Sequence, residues 1–357
     1  MSALRFKKNV DEVIARNRRL WNREATGTIL AKIDLDSCPT MRTWEKALVP
    51  GICPDYRRMF DVFLHDFEQR EDLLDDAMPT ARPNIGDYGF GAYAGAEVMF
   101  GEGGAYAKPF LTDLGRVKDL RFDPENRWVK LLDESTRYFA EHADGLCATS
   151  IIETSDGLNF AENVFGSGIF LEIYDHPRQL LELFDFACDF NIRLIELQRK
   201  HIRKFDGGYF DLHEEWLPGD CVWLSIDAWG QCSPQDFHRL GKAHVQKIVD
   251  HFGSGWLHMH NSHLHLLEEV VTVRGLVGIG ILDDPKQVPC FERLTEIQQV
   301  TGGIPLQISC RKQAFLTSLE QGALPRNVMY WIDSGVGSVE EANAIMEKVH
   351  RYGGWKG

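Results

Sequence analysis

From about residue 145 the chain repeats one unit: a short apolar run, a polar or acidic end, then a helical stretch. LCATSIIE (146–153) precedes a helix around 177–204, and GGYFDLHEEW (207–216) turns acidic where its apolar part stops. CVWLSID (221–227) ends on Asp227, after which Ser233 and Pro234 supply an N-cap and a first helical position. GWLHMHN (255–261) leads into a helix from Ser262, GLVGIGILDD (275–284) into one near 290–301, and IPLQISC (304–310) into one near 312–321. NVMYWID (327–333) precedes Ser338–His350, where Ser338 is an N-cap and Glu340 and Glu341 sit in the first turn, favourable to the helix dipole. Seven such pairs, with one more expected near residue 85 or 130, predict a parallel α/β sheet. No glycine-rich dinucleotide fingerprint follows an early strand, so the expectation is a single (β/α)8 TIM barrel.

Ahead of the repeats, residues 8–24 and 56–72 carry helical apolar spacing, the first with Val10, Val13, Ile14, Leu20 and Trp21 on one face. The expected organisation is one barrel domain over 1–357, with residues 1–80 as an N-terminal helical extension. Residues 80–107 are glycine-rich with Tyr88, Phe90 and Tyr93, but lack the Gly-Lys-Ser/Thr ending of a phosphate loop.

Net charge is −14, from 53 acidic against 39 basic residues, which disfavours nucleic-acid binding. The basic residues near the N-terminus, Lys7 to Arg23, alternate with acidic ones and read as a solvated helix face. No apolar run approaches the ~20 residues of a membrane span, and the first 24 residues lack the apolar core of a signal peptide. Eight cysteines, Cys53 among them, include no CxxC pair, the pattern of reduced thiols. A soluble, cytoplasmic enzyme with a small-molecule substrate is expected.

In barrels of this kind chemistry sits where strands end. Here the ends carry Asp211, His213, Glu214, Glu215, Asp227, His258, His260, Asp283, Asp284, Cys310 and Asp333. In a strand over GWLHMHN, His258 and His260 point to one face, and Leu257 and Met259 to the other. Two imidazoles on one face can grip one metal ion, and a zinc site needs a third ligand with a fourth position open. Cys310 is the softest candidate; Asp283, Asp333, Glu214, Glu215 and Asp227 are harder alternatives. Asp227 and Glu215 are also the candidate catalytic carboxyls. His263 and His265 fall at the start of the following helix, a poor place for a charged imidazolium, and are expected to be non-catalytic.

Three stretches resemble the uroporphyrinogen decarboxylase superfamily, which includes the cobalamin-dependent (corrinoid) methyltransferases. They are SIDAWGQCSPQDFHRLGKAHVQKIVDHF, GWLHMHNSHLHLLEEV and VMYWIDSGVGSVEEANAIMEKVHRYG, within the C-terminal two-thirds. The resemblance implies a (β/α)8 barrel with N-terminal additions. For the methyltransferases it also implies a zinc ion that activates a thiol toward methyl-cobalamin, hence a corrinoid co-substrate and a corrinoid protein as partner. His258 matches the histidine of the family's His-x-Cys pattern and His260 stands at its cysteine. The later family cysteine falls at Asp333-Ser334-Gly335, one strand beyond Cys310.

Other chemistries fit parts of the pattern. Tetrapyrrole (uroporphyrinogen) decarboxylation is the runner-up, although the Arg-Gln-Ala-Gly-Arg run of the decarboxylases does not occur. Metal-dependent hydrolysis also uses His-x-His at a barrel strand, but on the first strand of the amidohydrolases. Glycoside hydrolysis would use Asp211, Glu214 and Glu215 with Trp216 and Trp229 around an open cleft.

Overall fold

The computed structural model describes residues 4–24, 27–39, 55–83, 89–101 and 104–352. Cys53, Tyr88 and part of the glycine-rich stretch lie outside the described residues. The strands are β1 Ile29–Ile33, β2 Thr80–Ala81, β3 Val98–Gly101, β4 Gly104–Ala107, β5 Ala148–Thr149 and β6 Gly208–Phe210. They continue with β7 Trp216–Pro218, β8 Val222–Ser225, β9 Gly255–His260, β10 Leu276–Leu282, β11 Leu306–Arg311 and β12 Val328–Ser334. Six of them form one parallel sheet in the order β1-β12-β11-β10-β9-β8, so five consecutive βα units run across it as the sequence rhythm predicts.

Strand β1 lies inside the stretch expected to be a helical extension. Its apolar run is only ILAKI, interrupted by a lysine, too short to read as a barrel strand from the sequence. Beyond its free edge the chain substitutes side chains for a partner strand. The Asp76 N–H donates to the Ala31 carbonyl (2.9 Å), while the Asp76 and Asp75 carboxylates accept from the Ala31 N–H (2.8 Å) and Ile33 N–H (3.0 Å). Both carboxylates are buried and neutralised from the N-terminal segment, Asp75 by Lys7 at 2.6 Å and Asp76 by Arg16, which sits on α1 (Val10–Trp21). Buried charges persist where partners and hydrogen bonds offset desolvation, and here they fasten the N-terminal helix to the sheet. Hydrogen bonds continue from Pro79 and Ala81 to 148–150, and from Thr154 and Asp156 to Ser225 at the β8 edge.

The two faces of the sheet differ. Leu257, Met259, Ile279, Ile281, Ile308, Tyr330 and Ile332 face the helices in the large apolar core. The alternate positions Leu30, Trp223, Trp256, Met329 and Trp331 form a second cluster, with Lys32 and Gln307 buried at the same alternation. Gly280 makes room for it: a Cβ there would lie 1.9 Å from the Trp256 ring.

GGYFDLHEEW is not a parallel strand leading to a helix. It forms the antiparallel hairpin β6–β7, with Phe210 opposite Trp216 and the acidic residues at the tip. One Asp211 carboxylate oxygen accepts from the His213 and Glu215 N–H groups (2.9 and 2.8 Å), the side-chain-to-backbone bonding that favours Asp in turns. Glu214 adopts φ +71° and is held by both guanidinium nitrogens of Arg70, with Lys32 3.8 Å away. The tip reaches the indole cluster: the His213 ring lies 5.4 Å from that of Trp223 and 5.7 Å from those of Trp256, Trp331 and His258.

Candidate metal centre

Asp227, His258 and His260 meet at the C-terminal ends of adjacent strands β8 and β9. Alternation puts both imidazoles on one face, with ring centroids 5.0 Å apart. His258 is buried and stacks on Trp223 at 5.2 Å, which fixes its plane. Asp227 opens the short 3-10 helix Asp227–Gln231. Asn159 secures that turn, donating to the Ser225 carbonyl (3.0 Å) and accepting from the Ala228 N–H (2.8 Å). The Ser225 hydroxyl donates to Asp227 Oδ2 at 2.7 Å. Asp227 Oδ1 is left buried with no hydrogen-bond partner among the described residues. It lies 3.9 Å from Nε2 of His258 and 3.9 Å from Nε2 of His260.

A buried, unpartnered carboxylate oxygen between two imidazole nitrogens fits a cation. Bonds of ~2.0–2.1 Å in a tetrahedral site place donors about 3.3 Å apart; both Asp227–imidazole distances exceed that by roughly half an ångström, and all three ligand atoms lie within 4.8 Å of one another. A partner behind the first ligands completes the arrangement. Nδ1 of His260 pairs with Asp284 Oδ1 at 2.8 Å, and Asp284, just past β10, also accepts from the Ser262 hydroxyl. Asn261 holds the backbone of that loop, accepting from the Asp284 N–H at 2.9 Å. Burial opposes the Asp284 charge, but the Ser262 and His260 hydrogen bonds outweigh it and hold the carboxyl below its usual range. Burial drives His258 down to about 4, so its imidazole is neutral at physiological pH, the form that ligates.

Cys310 is not part of this cluster. Within β11 it alternates with Ser309 and follows Ile308 into the outer core, where burial pushes its thiol well above the ordinary range. Asp227, expected as a catalytic carboxyl or a fallback ligand, is the third member of the cluster instead. Glu215 is fully buried at the hairpin tip beside Asp211, outside the three-residue cluster. Burial raises Asp211 to about 7 and, with the neighbouring Asp211 charge, lifts Glu215 well above the usual carboxyl range. Asp211, Glu214 and Glu215 are all buried at the hairpin tip. Trp229 and Trp216 are core indoles, donating to Asp156 and to the Phe205 carbonyl. Ser262 does not cap a helix; the 3-10 helix Asn261–Leu266 starts after His260, whose N–H reaches His263 Nδ1 at 3.4 Å, and Ser262 serves Asp284. Sequence reasoning placed Asp284 at a strand end but missed its pairing with His260. His265 contacts the Cys232 carbonyl (3.0 Å) and lies outside the cluster.

The fold and site together define an α/β protein with a parallel sheet and a candidate two-histidine, one-carboxylate metal centre at its strand ends. No family model and no curated protein sequence matches the chain. Among solved structures it is similar to a methyltransferase from Methanosarcina mazei, with a TM-score of 0.62 and 11% identity, covering 95% of this chain and 98% of that one. The two share a fold. Among the described residues, no helix is long and apolar enough to cross a membrane.

Proposed function

We propose that the chain, 1–357, is a single closed (β/α)8 barrel enzyme that performs metal-assisted methyl transfer. The resemblance to the uroporphyrinogen decarboxylase superfamily supports a corrinoid as co-substrate and a cytoplasmic corrinoid protein as partner. The observation that carries the reading is the convergence of Asp227, His258 and His260 on one point at the sheet's C-terminal end, in a fold shared with a methyltransferase. A bound zinc ion would supply Lewis-acid activation of the group to which it binds. The chain's own residues do the rest: the imidazole nitrogens and Asp227 Oδ1 hold the ion, Ser225 orients Asp227, and Asp284 orients His260.

A metal-dependent hydrolase is the second reading, favoured by the nitrogen–oxygen donor set, which also serves zinc hydrolases. Tetrapyrrole decarboxylation has less support, because the Arg-Gln-Ala-Gly-Arg run of the decarboxylases does not occur in the sequence. Metal analysis of the purified protein, followed by methyl-cobalamin turnover with and without added zinc, tests the first reading. Stoichiometric metal lost in His260→Ala is expected, together with zinc-dependent transfer of the methyl group from methyl-cobalamin to an added nucleophilic acceptor, which forms the new bond to carbon while cobalt keeps the electron pair as cob(I)alamin. Metal-free protein, or His260→Ala with unchanged metal content and activity, would refute it.

A further inference from the structure

We propose that the open position of the Asp227–His258–His260 centre takes an oxygen donor of the substrate, a hydroxyl, ether or carboxylate oxygen, in preference to a thiolate. The inference rests on the metal-assisted reading above and names the substrate class of that site.

Three observations lead to it. Among the described residues, the donor set is two imidazole nitrogens and one carboxylate oxygen, with no cysteine in the cluster. Cys310, which lies within strand β11 of the parallel sheet, belongs to the opposite face, in the core that also holds Ile308 and Tyr330. Finally, the Ser225 hydroxyl donates to Asp227 Oδ2, while Oδ1 is buried with no hydrogen-bond partner among the described residues.

Charge then decides the partner. One carboxylate cancels one of the two positive charges of a divalent ion, and the imidazoles cancel none. A centre with sulfur ligands carries enough negative charge to leave a bound thiolate electron-rich and ready to attack. Here the residual positive charge quenches such a thiolate, yet suits an oxygen on which negative charge develops. Asp284 tempers that charge only through the imidazole of His260, which separates it from the ion. Borderline nitrogen and hard oxygen ligands also favour a further oxygen over sulfur at the remaining position.

The full chain, loaded with Co2+ and followed by its visible absorption, tests this without turnover. Equal concentrations of acetate and 2-mercaptoethanol serve as the two probes. Acetate is expected to shift the cobalt bands and saturate at a concentration at least tenfold lower than 2-mercaptoethanol, whose sulfur-to-cobalt charge-transfer band stays absent in that range. Asp227→Cys, which puts sulfur into the set, is expected to shrink the preference at least tenfold. A thiol charge-transfer band that saturates before the acetate shift in the unaltered protein would overturn the inference while leaving the metal centre standing. Absence of Co2+ uptake, or uptake unchanged in His258→Ala, would instead overturn the metal reading itself.

Discussion

Nδ1 of His260 stands 2.8 Å from Oδ1 of Asp284, across the adjacent ends of β9 and β10, and this pairing turns Nε2 toward Asp227. A carboxylate behind a ligating histidine fixes its tautomer and raises its basicity, and loss of such a partner costs ~10–100-fold in metal affinity. Asp284→Asn is therefore expected to weaken zinc binding by that factor in a chelator-competition titration. Its melting temperature should barely move, because the side chain is about one-third exposed. Undiminished affinity would remove Asp284 from the site.

Cys310 and His258 separate the two ligand assignments. His258→Ala is expected to abolish stoichiometric metal, whereas Cys310→Ala should keep it and lose only about 1 kcal/mol of stability from core packing. Elemental analysis beside urea unfolding reads both. A Cys310→Ala protein without metal would restore the sulfur ligand.

The strand–helix rhythm made β8 to β12 legible, because each strand is a short, largely apolar run with a polar end followed by a helical stretch. His258 and His260 were legible for the same reason: in a strand, spacing of two means a shared face. The hairpin at 207–216 was not. It has the same apolar run and acidic end as a barrel strand, and only the Asp211 turn and the Arg70–Glu214 contact, 144 residues apart, distinguish it. Strand β1 was hidden because its neighbours hold it with side-chain carboxylates rather than a second apolar strand. Cys310 misled because its position at a strand end is correct while its face is determined by one residue of register.

Asp76 tests how much that side-chain edge matters. Its carboxylate joins Arg16 of α1 to the Ala31 N–H, all buried. Asp76→Ala removes the carboxylate that neutralises the buried Arg16 guanidinium and accepts from the Ala31 N–H, and a loss of ~3–5 kcal/mol is expected. Urea unfolding measures it. Arg16→Met combined with Asp76→Ala should recover part of the loss, since removing both charges avoids the uncompensated one. A single variant as stable as the parent would show that the edge needs no anchor.

Asp211 gives the stability a pH dependence of definite sign. Burial raises its carboxyl from 3.8 to about 7, so the folded chain binds the proton more tightly than the unfolded one. The stabilisation is fully present below about pH 4 and is lost as pH rises through about 7. At ~1.4 kcal/mol per pH unit between those two values, the loss is of the order of a few kcal/mol. Glu215, also raised, extends it upward. His213 and His258 act in the opposite sense: burial lowers both, so they destabilise as pH falls through the usual histidine range. Asp211→Asn isolates the carboxyl, because the amide oxygen can still accept from the His213 and Glu215 N–H groups. Urea unfolding at pH 5, 6, 7 and 8 is expected to show the variant gaining on the parent steadily from about 5 to about 7. Parallel curves, or a parent that gains on the variant with rising pH, would mean that Asp211 is ionised in the folded protein.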